Sequence, residues 1–411
     1  MFRPTPEKLR SLSVTFSLLQ GLRVVELGES ISAPYCSKLL ADMGAEVVKI
    51  ERPGVGDQSR EYGPFLNDQP HHERSGLFLY LNGNKQGMTL DLETPTGREI
   101  LGELLARSHV FVHNLHPTEM DRQELDYESL RGHNSGLVMA SITPFGLTGP
   151  YRNYKAYDIN LAAAGGICEG LGSPDREPLT FGTAEVGYFA GMAAASSIVI
   201  ALLAGQGQHI DIAEVESMAG IYNGPEALMA VYQWRMTRRT GHHALDFPYP
   251  NCILRCKDGY IFVGSPEGRQ WRTLLEVMGG PEWAKEDRFR NRTTMNNEYA
   301  DEVDGYMEEW LMQHTKAELL ALALEHRVPL APVRDFNEVR NDESLADQFI
   351  PVERADTGSV SFAGPAYRLP GEEVSPPRPA PLLGQHNAEV LCDRLGYSKE
   401  DLVKLYQTGI I

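Results

Sequence analysis

Short apolar runs alternate with amphipathic stretches along the first third of the chain. Apolar runs of this length predict buried strands, and the longer stretches with apolar residues three and four positions apart predict helices. Alternation of strand and helix is typical of parallel crossover units in a doubly wound α/β domain. The predicted strands are 22–27, 45–50, 88–92, 109–114 and 136–143, and the predicted helices are 33–43, 94–107 and 118–131.

Residues 180–203 form the most apolar stretch of the chain. Polar residues and glycines precede a run of small and aliphatic side chains, which predicts a helix buried on all sides in the middle of a domain. One acid, Glu185, lies at the predicted helix N-terminus, where free N–H groups stabilise negative charge. A carboxylate in that place serves either as a cap of the first turn or as a nucleophile, and the stretch alone leaves both open.

The second half of the chain has a less regular pattern. A strand at 209–213 and a helix at 214–232 precede a stretch of loop composition at 233–249. Two short apolar runs, 252–255 and 260–263, predict a β-hairpin around a Lys-Asp-Gly turn. Beyond residue 328 the chain is rich in proline. The further predicted helices are 270–278, 300–313, 316–326, 387–395 and 399–407.

Composition places the chain among ordinary globular enzymes. It has 411 residues, of which 42% are hydrophobic and 23% charged. Uninterrupted apolar runs of about eighteen residues are absent, and the best candidate, 191–203, is short, so we expect no membrane span. The N-terminus has no apolar core followed by a cleavage site. Five scattered cysteines favour a reducing compartment. We therefore expect a cytoplasmic protein.

Charge and loop sequences narrow the choice of ligand. The 38 basic and 56 acidic residues give a net charge of −18, which disfavours nucleic acid as a partner. The loop 28–34 lacks the G-x-G-x-x-G fingerprint, so NAD or FAD is not expected. The Gly-punctuated loop 51–57, with Arg52 inside it and Arg60 beyond it, suits a phosphate or is a plain surface turn. The adjacent pair His242 and His243 has no third ligand in view, and we predict no metal site.

A set of short motifs, taken in their order and spacing, resembles the class III CoA-transferase family, which includes formyl-CoA and carnitine CoA-transferases. The resemblance extends from residue 21 to the C-terminus. The motifs are GLRVVEL at 21–27, GAEVVKIERP at 44–53 with Gly56 and Asp57, NGNK at 82–85 with Leu90 and Asp91, and PLLGQH at 381–386.

This resemblance implies a fold and an assembly. The expected fold is α/β, with a Rossmann-like large domain built from both chain ends and a small α+β middle domain. The implied boundaries are 21–232 and 328–411 for the large domain and 233–327 for the linker and small domain, after an N-terminal extension at 1–20. Two subunits of the family interlock, so we expect an intertwined homodimer, with a heteromer containing a paralogue as the alternative.

The resemblance also implies coenzyme A as substrate and product, and assigns its binding residues. Three of them carry the positive charge that CoA phosphates require on an acidic protein. Membership of surface ion pairs is the alternative role of these three side chains. The residues assigned to CoA binding are Ser32, Ala33, Arg52, Leu90, Asn114, Arg122 and Lys155.

Two departures from the family pattern bear on catalysis. The place of the family's catalytic aspartate falls on Val186 or Gly187, which leaves Glu185 as the nearby carboxylate. A lysine of the family's CoA site is replaced by Glu93. If Glu185 is competent, it would attack an acyl-CoA to give a mixed anhydride, take up CoA as an enzyme thioester, and pass CoA to the acceptor acid.

Three functions therefore remain open. A CoA-transferase acting on an acyl-CoA and a small carboxylic acid is the first. A non-catalytic CoA-binding subunit that pairs with an active paralogue would account for the missing aspartate. Racemases related to the family use a histidine immediately before Asp158, where this chain has Tyr157, and this substitution disfavours proton-exchange chemistry. Asp158 is the second catalytic candidate, with a structural role as its alternative.

Overall fold

The computed structural model describes residues 17–222, 230–232, 239–243, 247–355, 357–369 and 377–411. Most of the predicted N-terminal extension, much of the predicted helix 214–232 and much of the linker 233–249 lie outside these residues. The chain divides into two compact units. The first contains the described residues of 1–167, 181–227 and 346–411, and the second those of 168–180 and 228–345.

The first unit is organised on a sheet of six parallel strands, which confirms the predicted α/β class. The strand order is β3-β2-β1-β4-β5-β6. The strand order therefore reverses between β1 and β4: the chain adds β2 and β3 on one side of β1, and β4 to β6 on the other. Open α/β sheets bind ligands at such a point. The strands are β1 (Arg23–Leu27), β2 (Glu46–Glu51), β3 (Gln86–Thr89), β4 (Val110–His113), β5 (Val138–Thr143) and β6 (Gln208–Ala213).

Helices cover both faces of this sheet. Alternate residues of one strand enter opposite cores: Val24 packs in one apolar cluster and Val25 in the other. The helices of this unit are α1 (Ser32–Asp42), α2 (Gly76–Leu81), α3 (Pro95–Ala106), α4 (Pro117–Gln123), α5 (Tyr127–Arg131), α6 (Asp158–Ala164), α8 (Glu185–Ala204) and α9 (Glu214–Ser217). Helix α7 (Ile167–Gly170) lies at the boundary and belongs mostly to the second unit.

Two predicted helices differ from the structure. The predicted helix 118–131 is two helices, because Glu124 adopts a left-handed conformation (φ 57°) that ends α4. The Asp126 side chain then accepts a hydrogen bond from the Ser129 backbone N–H and caps α5. The predicted helix 214–232 begins as α9 but continues as a π-helical turn over Met218–Tyr222.

Helix α8 begins in the predicted apolar stretch 180–203 and is buried along one side only. A Cβ on Gly191 would lie 2.6 Å from the backbone oxygen of Ser32, so the glycine allows α1 and α8 to pack closely. On the other side Ile200 and Leu203 are 67% and 83% exposed. The prediction of a helix buried on all sides is therefore wrong. Among the described residues, α8 is also the helix that meets the length and composition of a membrane span, a test that core helices pass as well.

A buried ion network joins the first three strands. Glu26 on β1 lies between two lysines, with its carboxylate oxygens 2.7 Å from Lys49 Nζ and 2.8 Å from Lys85 Nζ. Lys49 Nζ also lies 2.7 Å from a carboxylate oxygen of Asp57. All four side chains are inaccessible to solvent, so each charge is held by its partners rather than by water.

Strand β3, at one end of the strand order, is covered by a segment from the far end of the sequence. The Gly87 backbone N–H donates to His386 Nδ1 at 3.0 Å, and the His386 N–H donates back to the Gly87 oxygen at 2.9 Å. The Thr89 N–H donates to Asn387 Oδ1 at 2.8 Å. Side-chain and backbone groups of this segment thus satisfy strand groups that would otherwise be open for pairing.

The second unit contains the predicted hairpin around residues 257–259, extended by a third strand. Its helix Lys316–His326 has the predicted bounds. The elements are β7 (Asn251–Cys256), β8 (Gly259–Gly264), β9 (Leu330–Pro332), α10 (Gly268–Val277), α11 (Arg292–Glu298), α12 (Ala300–Leu311), α13 (Lys316–His326) and α14 (Phe336–Arg340). The first unit ends with β10 (Phe349–Arg354), β11 (Gly358–Ala363), a π-helical segment (Glu389–Leu395) and α15 (Lys399–Gln407).

Candidate functional site

Two adjoining cavities open at the carboxyl ends of the sheet strands. The larger cavity has a volume of about 420 Å³ and the smaller one of about 300 Å³, and both are lined by Glu29 and Asn114. The larger cavity is further lined by Arg52, Leu90, Glu93, Glu119 and Lys155. The smaller cavity is further lined by Ser32, Tyr157, Asp158, Gly187 and Glu214.

Asn114 lies at the border of the two cavities. It follows β4, while Glu29 and Ser32 follow β1, so the three residues flank the point where the strand order reverses. Asn114 Nδ2 donates to the Glu29 backbone oxygen at 2.7 Å and to Ser32 Oγ at 3.1 Å. The Glu29 N–H donates to Asn114 Oδ1 at 2.9 Å. These bonds fix the first turn of α1 against the end of β4.

The cations assigned to CoA binding lie in or beside the larger cavity. Arg52 is exposed and lies 3.2 Å from the Glu29 carboxylate. Lys155 is exposed and lines the same cavity. Arg122 forms ion pairs with both Glu93 and Glu119, which line that cavity, so its charge is already compensated. The carboxylate of Glu93, in the place of the family's lysine, thus reduces the positive potential of this cavity.

Among the uncharged residues assigned to CoA binding, some line a cavity and one is buried in the hydrophobic core. Leu90 lines the larger cavity, and its backbone N–H donates to the Glu51 oxygen at 2.9 Å. Ser32 lines the smaller cavity. Ala33 is fully buried in the core at 0% exposure, where its methyl group packs beneath the backbone of Gly28.

Asp158 faces the smaller cavity from the N-terminus of α6. One of its carboxylate oxygens accepts a hydrogen bond from the Gly187 backbone N–H at 3.3 Å. Burial and the neighbouring charge of Glu185 raise the pKa of Asp158, and the N–H groups of Gly187 and Val186 oppose this shift. Tyr157, in the place of the racemase histidine, is 79% exposed.

Glu214 is a cavity residue that the sequence analysis did not identify. It follows β6 directly and lines the smaller cavity, where the Ser32 hydroxyl is its hydrogen-bond partner. Burial and the charge of Asp158 raise the pKa of Glu214. The signal for it was present in the sequence, because an acid immediately after the predicted strand 209–213 falls at the carboxyl edge of the sheet.

The two positions that the resemblance assigned to the missing aspartate lie in different surroundings. Val186 is fully buried in the core, whereas Gly187 lines the smaller cavity. The structure therefore puts Gly187 at the cavity wall. Glu185, at the first position of α8, hydrogen-bonds Thr183 through Oε1, and its Oε2 is buried with no hydrogen-bond partner among the described residues.

The expectation that no third polar residue lies beside His242 and His243 is wrong, because Asp304 of the same unit contacts both. His242 Nε2 and His243 Nε2 each lie 2.8 Å from Asp304 Oδ2, and the Tyr249 hydroxyl donates to Asp304 Oδ1 at 2.8 Å. Burial alone would raise the pKa of Asp304, but hydrogen bonds from both histidines outweigh it and lower the pKa. The distances are those of hydrogen bonds, so the cluster is a carboxylate held by three donors.

Comparisons with known proteins agree over nearly the whole chain. The model of CoA-transferase family III matches residues 19–387. A succinyl-CoA–D-citramalate CoA-transferase from Chloroflexus aurantiacus is 32% identical, covering 96% of this chain and 98% of its own. A succinyl-CoA:mesaconate CoA-transferase from Haloarcula hispanica is 32% identical over 91% and 95%. A CAIB/BAIF family protein from Brucella suis superposes with a TM-score of 0.82 at 29% identity, covering 92% and 100%.

Proposed function

Because the chain belongs to CoA-transferase family III and is a CoA-transferase that moves CoA from an acyl-CoA to a carboxylic acid, we propose that CoA passes through a carboxylate of this chain at the mouth of α8. The observation that carries this proposal is the pair of adjoining cavities bordered by Asn114. The larger one fits the nucleotide part of CoA, and the smaller one receives the thioester beside the start of α8.

Glu185 is the carboxylate that we propose as the carrier of CoA. Its Oε2 has no hydrogen-bond partner among the described residues, and it lies at a helix N-terminus whose N–H groups stabilise an oxyanion. The oxygen attacks the thioester carbon, the C–S bond breaks, and CoA leaves as the thiolate. The thiolate then attacks the glutamyl carbon of the mixed anhydride and releases the donor acid.

The second half of the cycle mirrors the first. The acceptor carboxylate attacks the glutamyl thioester and releases CoA thiolate, which then attacks the acyl carbon of the new anhydride. This last step frees Glu185 as a carboxylate, so no net proton is consumed. Asp158 accepts the N–H groups at the start of α8 and thereby holds this turn in place; it is the second candidate for the carrier.

Trapping of the intermediate tests the carrier directly. The protein is incubated with a panel of acyl-CoAs and treated with hydroxylamine or borohydride, and the modified peptide is located by mass spectrometry. We expect the label on Glu185 and its loss in Glu185→Gln, with Glu177→Gln as the matched control. A label on Asp158 would move the carrier to that residue.

One observation favours a second function, that of a non-catalytic CoA-binding subunit. Gly187 lines the smaller cavity without a side chain. CoA binding without any covalent adduct would favour this function over our proposal. Restoring an aspartate then provides a further test. A Cβ on Gly187 would lie 3.0 Å from Ile31 Cγ2, so the new side chain needs additional space. Gly187→Asp combined with Ile31→Ala should form an adduct at residue 187 if only the carboxylate was missing.

We further propose an interlocked homodimer with a Rossmann-like large domain built from both chain ends. The exposed apolar side chains of α8 support a partner surface there. A heteromer with a paralogue is the alternative, and the mass of the purified complex together with its subunit composition distinguishes the two. A cytoplasmic location is proposed from the five cysteines, all of which are free thiols.

A further inference from the structure

We infer that the smaller cavity selects acyl groups and acceptor acids that carry no second carboxylate. The substrates would be monocarboxylic acids whose remaining part bears no negative charge. This inference rests on the CoA-transfer function and adds to it a substrate class, and Glu214 is the residue that determines the selection.

The charge of the cavity wall is the first observation. The described residues that line the smaller cavity include three carboxylates, Glu29, Asp158 and Glu214, and among them there is no lysine, arginine or histidine. Glu29 is compensated by Arg52 at 3.2 Å. The two others have uncharged hydrogen-bond partners: the Gly187 N–H for Asp158 and the Ser32 hydroxyl for Glu214.

The positions of these two carboxylates are fixed by the fold. Glu214 continues directly from β6, and Asp158 begins α6, so both backbones are held by regular structure. Burial raises the pKa of both groups, and the charge of Asp158 adds to the shift at Glu214. Negative charge is therefore already unfavourable in this cavity. A proton bound by either carboxylate would remove its repulsion of an anionic ligand but would not create an attraction for that ligand.

A dicarboxylic substrate would add a charge that the described wall does not compensate. The relatives above are named for succinyl-CoA, citramalate and mesaconate; the two acids are dicarboxylic, and succinyl-CoA keeps one free carboxylate at the end of its acyl group. Recognition of a distal carboxylate uses arginine, lysine or several hydrogen-bond donors. Like charges at a binding surface disfavour a ligand strongly, so selection against the second carboxylate is the expected result.

A pair of acyl-CoAs with matched shape tests the inference. Succinyl-CoA and 4-methylpentanoyl-CoA differ in that a terminal carboxylate is replaced by an isopropyl group of similar size. We expect 4-methylpentanoyl-CoA to have the lower Kd and the higher kcat/KM with acetate as acceptor, each by at least about tenfold. Glu214→Gln should reduce this preference several-fold, whereas Glu216→Gln, an exposed acid of the same short helix outside the lining, should leave it unchanged.

The two measurements separate this inference from the function on which it rests. If neither acyl-CoA is turned over, the transfer reaction is in question, and the ratio of the two Kd values still decides the selection. Equal or tighter binding of succinyl-CoA would overturn the inference, and so would a preference that Glu214→Gln does not change. Glu214→Asp, which keeps the charge, should retain the preference and shows whether the glutamine variant acts through charge.

Discussion

Two groups of carboxylates lie near the same end of the sheet and differ in what surrounds them. Glu26 is fully buried between Lys49 and Lys85, and its oxygens are shared by two ammonium groups. Asp158 and Glu214 face a cavity and have uncharged partners. The difference teaches that burial of an acid has opposite consequences in the two places: a compensated charge cannot be removed without leaving its partners buried and unpaired, whereas an uncompensated charge acts on a ligand.

Removing the compensated charge gives the largest expected effect. Glu26→Gln leaves Lys49 and Lys85 buried without a carboxylate between them. We expect the free energy of unfolding to fall by about 3–5 kcal/mol, measured by urea denaturation. Glu46→Gln, an exposed acid on the neighbouring strand β2, is the control and should change it by less than about 0.5 kcal/mol. Equal stability of the two variants would contradict the comparison.

The same carboxylate should give the protein a defined acid sensitivity. Burial alone would raise the pKa of Glu26, but Lys49 and Lys85 outweigh it and lower the pKa to about 2. The unfolded chain, with a glutamate pKa of about 4.3, then binds more protons than the folded chain between these values. The stabilisation is present above about pH 4.3 and is lost as the pH falls through about 2. Unfolding free energies measured along this range should fall less steeply in Glu26→Gln, and parallel slopes would be inconsistent with this origin.

Removing an uncompensated charge should have a much smaller effect on stability. Glu214→Gln keeps a hydrogen-bonding group for Ser32 and relieves repulsion from Asp158. We expect the free energy of unfolding to change by less than about 1 kcal/mol, or to increase. Urea denaturation of Glu214→Gln and Glu26→Gln under the same conditions measures the difference between their free energies of unfolding. A loss as large as that of Glu26→Gln would mean that Glu214 is a structural residue.

The smallest expected effect concerns the larger cavity. Glu93→Gln leaves Arg122 with one carboxylate partner, Glu119, instead of two. Because these groups are exposed, we expect the Kd of CoA to fall by only about two- to fivefold, and less at high salt. Isothermal calorimetry measures it, with Glu128→Gln, whose partner Arg131 lies outside the cavity, as control. An unchanged Kd would show that Arg122 does not contact CoA.

The sequence alone predicted the strands of the sheet, but it did not predict which residues pair with the buried charges on those strands. All six strands of the sheet were predicted. The strands β2 to β5 are buried on both faces, whereas β6 is partly exposed. The break between α4 and α5 was missed, since it depends on the left-handed conformation of Glu124, which no periodicity reports.

Contacts between distant residues explain most of what the sequence did not reveal at the site. Lys85 and Glu26 are 59 positions apart and His242 and Asp304 62, so neither pairing follows from local pattern. Asn114 was predicted through the family resemblance. Glu214 follows a strand directly but was read as the start of a helix. The roles of Glu185 and Asp158 remain predictions.

The cover of β3 has a consequence for the synthesis of the chain. The hydrogen bond from Thr89 to Asn387 joins residues 298 positions apart. At ordinary rates of translation, roughly 15–60 s separate the two residues as they leave the ribosome. During that time the outer edge of β3 is unpaired and open to other nascent chains. The edge of the sheet is therefore covered only late in translation, and a ribosome-associated chaperone that shields residues 86–89 should raise the yield of folded protein.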